Sequence, residues 1–176
     1  MIKVQSAKAA VLSEEEKFKL YEIMRIAYAL TEVEVWGENY VRLTFEEYKT
    51  LIEKDEILVA MHEDEIVGGV HYYQRSKHKF AFSLLSADFD KSGLGIGRAL
   101  IEEVEKRAKN KNANYIEIEI LRPRGIEVPF KVRIRDWYQR LGFVYKGSQD
   151  FTEVNPEKGK NLVNPSDFDY YLKELN

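Results

Sequence analysis

The stretch Asp88-Phe89-Asp90-Lys91-Ser92-Gly93-Leu94-Gly95-Ile96-Gly97-Arg98-Ala99-Leu100 constrains this chain more than any other. Before it, Phe80 to Ala87 reads as a strand. After it, Ile96, Leu100, Val104 and Ala108 recur every fourth residue, the spacing of a helix with one apolar face. Alternate glycines between a strand and a helix let the backbone turn tightly and leave no Cβ between main chain and ligand. The first amides of a helix point outward without partners and carry partial positive charge. Such a junction is a cradle for phosphate or pyrophosphate.

Residue identity excludes two familiar phosphate loops. A dinucleotide fingerprint, G-x-G-x-x-G, would need glycine at Arg98 or at Leu100. A triphosphate P-loop ends in Gly-Lys-Ser/Thr, and Gly97-Arg98-Ala99 lacks both the lysine and the magnesium-binding hydroxyl. A glycine-rich turn with no ligand is the other reading at this point.

Around the loop the order of elements is legible. The pairs Glu102–Lys106, Glu103–Arg107 and Glu105–Lys109 support the helix on its exposed sides, and Asn110-Lys111-Asn112 ends it. Tyr115 to Leu121 alternates like a strand with one buried face, which makes a βαβ unit whose two strands run parallel. Upstream, Ile2 to Val11 is a weak first strand. Ser13-Glu14-Glu15-Glu16 and Thr44-Phe45-Glu46-Glu47 are capping boxes that open helices, the first running to about Leu30. Thr31 to Leu43 is a polar and aromatic connector. Ile57 to Met61 and Ile66 to Gln74 form a hairpin, with Gly68-Gly69 marking a bulge or a close approach. Arg75 to Lys79 is a basic loop. Downstream, Arg122 to Phe130 reads as a long loop with two prolines, Lys131 to Leu141 as a helix stopped by Gly142, and Phe143 to Lys146 as a strand. Gln149 to Pro165 reads as a second long loop, and Phe168 to Leu175 as a closing strand.

The length of 176 residues suits one domain spanning 1–176. A formal charge of -3 argues against nucleic acid or an anionic membrane as the main partner. No window approaches the ~20 apolar residues of a membrane span, and Met1 to Gln5 lacks the apolar run of a signal peptide, so a cytoplasmic protein is expected. The absence of cysteine excludes disulfides, thiolate metal sites and a cysteine nucleophile. His62, His71 and His78 lack metal-ligand spacing, so no metal is expected.

A second motif lies downstream: Trp137-Tyr138-Gln139-Arg140-Leu141-Gly142-Phe143. It is similar to the Tyr-x-x-x-Gly-Phe signature in the last helix of the GNAT (GCN5-related) N-acetyltransferases. Gly93 to Leu100 resembles that family's pyrophosphate loop, Gln/Arg-x-x-Gly-x-Gly/Ala, with Gly95 and Gly97 as the small residues and Ser92 standing where the family has Gln or Arg. The order of elements resembles the family along nearly the whole chain. The resemblance implies an α/β (α+β type) fold: a mixed, mainly antiparallel sheet splayed in the middle and flanked by helices, with the splay near the strands ending at Ala87 and beginning at Tyr115.

It also implies acetyl-CoA as cosubstrate. Ala87, Asp88, Ser92, Gly93, Leu94, Gly95, Ile96, Gly97 and Arg98 would bind it, the loop amides on the pyrophosphate and the main chain near Ala87 along the pantetheine arm. Tyr138 would protonate the departing thiolate; a phenol, protonated at neutral pH, is suited to that task. The activity implied is acetyl transfer to a primary amine by direct attack, with a small-molecule acceptor favoured over a protein. The alternative is a CoA-binding regulatory module without catalysis, and a homodimer is an open option because domains of the family often pair. The general base is not legible. Glu32, Glu34, His71, Tyr72 and Tyr73 are candidates, each better read as a solvated carboxylate or a satisfied sheet residue. Arg122, Arg124, Lys131, Arg133 and Arg135 gather charge for the CoA 3′-phosphate, for an acidic acceptor or for solvent alone. The Arg122–Phe130 loop is the candidate for specificity.

Overall fold

A computed structural model describes all 176 residues. The chain runs β1 (Lys3–Ser6), α1 (Glu14–Thr31), α2 (Val33–Trp36), α3 (Phe45–Glu53), β2 (Ile57–His62), β3 (Glu65–Ser76), β4 (Lys79–Ala87), a 3₁₀ turn (Phe89–Lys91), α4 (Ile96–Asn110), β5 (Tyr115–Pro123), α5 (Pro129–Arg140), β6 (Val144–Asp150), two single-turn helices α6 (Phe151–Val154) and α7 (Pro156–Gly159), and β7 (Ser166–Glu174). Both capping boxes form, with the Ser13 hydroxyl accepting from the Glu16 amide and the Thr44 hydroxyl from the Glu47 amide. Each is worth about 1 kcal/mol to its helix. None of the helices is long and apolar enough to cross a membrane.

The seven strands form one sheet in the order β1-β2-β3-β4-β5-β7-β6. Every pair is antiparallel except β4 with β5, the two strands that α4 joins. That pair is where the sheet opens. β4 and β5 pair only over Lys79↔Tyr115, Phe80↔Ile116 and Ala81↔Glu117, then diverge for the rest of their nine-residue lengths. β5 pairs along its whole length with β7 instead, and β3 shifts register against β4 between Gly69 and His71. Within that irregularity Leu84 adopts φ 55, a left-handed conformation unusual for a leucine inside a strand.

The core has two main layers, one on each face of the sheet. On one face α4 and α5 pack Leu100, Val104, Ala108 and Tyr138 against Leu58, Val67, Val70, Phe82, Ile116 and Phe143. On the other, α1 and α3 pack Leu20, Met24, Tyr48 and Ile52 against Ile57, Val59 and Ile66. The continuous apolar run of β2 thus divides by parity, Leu58 and Ala60 to one layer, Ile57 and Val59 to the other. A smaller cluster of Val35, Trp36, Leu121, Phe151 and Phe168 closes the far end of the splay.

Gly68 resolves both alternatives drawn from its sequence. β2 and β3 shift register beside it, and a Cβ there would sit 2.6 Å from the Ser86 carbonyl oxygen and 2.7 Å from Ile96 Cγ2. Its missing side chain lets the first residue of α4 settle onto β3. That contact fixes where the glycine loop points.

Several boundaries differ from expectation. β1 stops at Ser6, and Ala7 to Val11 turns instead of extending. The basic Arg75–Lys79 loop is a tight turn at Lys77-His78, because β3 runs to Ser76 and β4 starts at Lys79. The long Arg122–Phe130 loop shrinks to five residues, Arg124 to Val128. Pro123 ends β5 and Pro129 takes the first position of α5, where its missing N–H costs nothing. Prolines that read as loop residues are element boundaries. The Gln149–Pro165 stretch is likewise partly ordered, as the end of β6 and as α6 and α7.

Candidate functional site

A cleft of ≈ 670 Å³ enters the splay between β4 and β5. One wall is Phe82 to Ala87 of β4, the opposite wall Ile118 to Leu121 of β5, and the floor is α5 from Phe130 to Tyr138. Ala87, Asp88, Ser92, Gly93, Leu94, Gly95, Ile96, Gly97, Arg98 and Tyr138, from two motifs 40 residues apart in sequence, all line this one cleft.

At the glycine end, Gly93 and Gly95 have φ of 82° and 74°, and a Cβ on either would meet nothing within 4 Å. Their positive φ suits glycine, and open space lies in front of them. Gly95 is the N-cap of α4, makes no side-chain cap, and no acidic residue occupies the first turn. In α1 and α3, by contrast, a capping box and two or more glutamates serve the same amides. The α4 amides are therefore left for an anion from outside the chain, as a pyrophosphate would supply. Gly97 faces Trp137, 3.1 Å from the Cβ position to the indole ring, which brings α5 beside the loop.

Tyr138 follows Trp137 into the core. Its ring packs against Phe82, Trp137 and Phe143, and the residue is only 6% exposed. Burial, with a contribution from nearby Tyr28, pushes the phenol well above its ordinary value of 10. Tyr28 lies against the Leu84 backbone and is itself pushed up to about 12, chiefly by burial. Both phenols keep their protons throughout the neutral range.

Farther from the loop, the cleft holds a charged group that sequence reasoning misjudged. Glu32, expected to be a solvated carboxylate, is 3% exposed. Its Oε1 accepts from Arg42 Nη1 at 2.8 Å and its Oε2 from Lys131 Nζ at 2.5 Å. Burial would raise its pKa, but Arg42 and then Lys131 hold it below the usual carboxylate range. Arg42 also lies over the Tyr28 ring, 5.1 Å from its centroid. The capped run of α1 places Tyr28 and Glu32 one turn apart on the cleft side, whereas Arg42 sits in irregular chain with no periodic signal to reveal it.

The remaining basic residues separate. Arg122 is clamped by Asp169 (2.6 and 2.9 Å), and Arg124 by Asp150 (2.9 Å) and Asp167 (2.5 Å), so both brace the β5–β7–β6 edge. Arg135 pairs with Asp136, while Lys131 and Arg133 line the cleft. Glu34 is outside the cleft lining, as are His71, Tyr72 and Tyr73. Ser83, which no motif marked, does line it. Ser83 Oγ is 3.3 Å from His71 Nδ1, and His71 Nε2 is 2.8 Å from Glu56 Oε1. A carboxylate only accepts, so Nε2 carries the hydrogen and Nδ1 is left to accept from Ser83. Burial lowers the His71 pKa below 6.5, against the opposing pull of Glu56.

Residues 53–145 match the family described as the acetyltransferase (GNAT) domain. No curated protein matches the chain. Among solved structures, an aminoglycoside 6′-N-acetyltransferase complexed with coenzyme A superposes with a TM-score of 0.72 at 14% identity, over 100% of this chain and 97% of that one. An agmatine N-acetyltransferase gives 0.69 at 14% identity, over 99% of this chain and 99% of that one. The ribosomal-protein-alanine N-acetyltransferase from Brucella melitensis gives 0.67 at 20% identity, again over 99% of each chain. At such identities the superpositions speak for the fold. The family match covers more than half of the chain, and with a sheet that opens at β4 and β5 the protein belongs to the GNAT acetyltransferases, whose cosubstrate is acetyl-CoA.

Proposed function

We propose that this protein moves the acetyl group of acetyl-CoA to the primary amine of a small molecule by direct attack. The observation that carries this reading is the meeting, in one cleft, of the uncapped start of α4 with the buried Tyr138. When bound, acetyl-CoA supplies a thioester carbonyl and a thiolate leaving group. The amides of Gly93 to Arg98 hold the pyrophosphate. The part of β4 that β5 leaves unpaired offers main-chain groups to the pantetheine arm, as an added strand would require. The Leu84 irregularity interrupts the β3–β4 pairing, and a main-chain amide freed there would stabilise the negative charge that develops on the thioester carbonyl. Tyr138 holds its proton against neutral solvent and yields it to the departing sulfur. Ser83 takes up the proton of the attacking amine and passes its own to the neutral His71, which Glu56 steadies. With no cysteine in the chain and acidic, basic and phenolic groups arranged in this way, no covalent acyl-enzyme is needed. A cleft of ≈ 670 Å³ shared with the cosubstrate suits a small acceptor.

Thermal melting and release of free thiol against a panel of amines test the reading together. Acetyl-CoA and CoA, but not ATP or NAD, are expected to raise the melting temperature. Gly95→Glu is expected to erase that shift by placing a carboxylate against the pyrophosphate. Thiol release should depend on an added amine. A shift by CoA with no amine-dependent release from any acceptor would instead describe a CoA-binding module without catalysis.

A further inference from the structure

We infer that the acceptor amine carries a carboxylate, which Arg42 and Lys131 bind at the end of the cleft away from the glycine loop; the inference rests on the transfer reading above. Its basis is an imbalance of charge. Glu32 is one carboxylate between two cations, and all three side chains line the cleft. One positive charge is left over in a largely buried place. Lys131 is 11% exposed and Arg42 26%. Other carboxylates of the lining do not neutralise it: Glu119, on the β5 wall, is taken by Arg75 at 2.9 Å, and Asp88 lies at the glycine end. Desolvating two cations for one anion is unfavourable unless a further anion completes the set.

The donors that such an anion needs are present. Arg42 makes one hydrogen bond within the chain, from Nη1, so the rest of its planar fork is unspent. Lys131 sits in the first turn of α5, which has Pro129 at its first position, no side-chain cap and no acidic residue, so the helix end adds partial positive charge. A carboxylate placed between Arg42 and Lys131 would accept charge-assisted bonds from both. Glu32 becomes the strut that holds the two cations at the right separation and does not itself attract the ammonium.

The group is also correctly placed relative to the chemistry. Lys131 lies seven residues before Tyr138 on the same helix, about 10 Å along its axis. Tyr28 lines the same cleft as Tyr138 and carries Arg42 over its ring. An amino acid held by its carboxylate would present its amine toward the thioester. Polyamines and other polycations would meet like charge at the same point.

The test pairs ω-amino acids (glycine, β-alanine, 4-aminobutyrate, 6-aminohexanoate) with their amides, and adds 1,4-diaminobutane, as acceptors for thiol release. At least one acid is expected to exceed its amide tenfold in kcat/KM, with the diamine poorest. In parallel, the CoA-saturated protein is melted with the N-acetylated acids and amides, and only the acids should raise the melting temperature. The tenfold preference should fall toward unity in Arg42→Gln. It should also fall in Lys131→Gln, which leaves Glu32 paired with Arg42 if Arg42→Gln fails to fold. Amides or the diamine turned over as well as the acids would overturn the carboxylate site while leaving acetyl transfer intact. If no amine is acetylated, the transfer reading falls, and the melting shifts alone decide the carboxylate site: acid-selective stabilisation upholds it and its absence ends it.

Discussion

At the scale of single residues, Tyr138 concentrates the proposed chemistry. Its hydroxyl is kept protonated by burial among aromatic rings, so the contribution proposed for it is a proton held ready for the leaving group. Tyr138→Phe keeps the ring and removes only that proton. The expected outcome is a fall in kcat of about 10²-fold with the KM for acetyl-CoA little changed, since a positioned acid contributes to the transition state more than to binding. Steady-state thiol release across pH 6 to 9 measures it, and turnover equal to the parent at every pH would remove Tyr138 from the mechanism. A contiguous motif singles out Tyr138 in the sequence, and the structure adds its place in the cleft lining. Glu32 is not legible as a buried ion pair, because nothing near it in sequence announces Lys131, 99 positions away.

At the scale of elements, the site depends on how α4 is seated. Its N-terminus rests on β3 through Ile96 and against α5 through Gly97 and Trp137. Gly68→Ala would put a methyl group 2.6 Å from a backbone oxygen, which can move only by shifting β4. A loss of about 1–3 kcal/mol in unfolding free energy is expected, together with a smaller thermal shift by acetyl-CoA as the loop is lifted. Urea unfolding with and without the ligand checks both; an unchanged midpoint would mean that the sheet relaxes freely there. Helices α1, α3 and α4 were readable because caps and apolar spacing are local signals. The Arg122–Phe130 loop was overread because Pro123 and Pro129 are breakers in any context, and only the paired partner of β5 and the start of α5 show them as boundaries.

At the scale of the whole molecule, two buried groups tie stability to pH. His71 has a folded pKa below its ordinary 6.5, and Glu32 one below its ordinary 4.5. In both cases the unfolded chain binds the proton more readily than the folded one. Stability is therefore full above pH 6.5, falls as His71 begins to protonate in the unfolded state below that value, and falls again below pH 4.5 as Glu32 does the same. The groups facing His71, namely Glu56, Lys54, Ser83 and Tyr73, set the size of the first step. Melting temperatures from pH 7.5 to 4 should decline in this order, and His71→Gln should flatten the step below 6.5. A profile level to pH 5 in the parent would contradict the burial of a neutral histidine.

The sequence by itself determined the periodic elements, their order and the glycine loop, since caps, apolar spacing and glycine conformations act between residues that are neighbours along the chain. Only the tertiary structure decided how far β4 and β5 stay paired, that β7 inserts beside β5, and that Glu32, Arg42 and Lys131 meet in one cleft. Those outcomes rest on contacts between distant segments, and the charge they leave unbalanced exists only after the segments have come together.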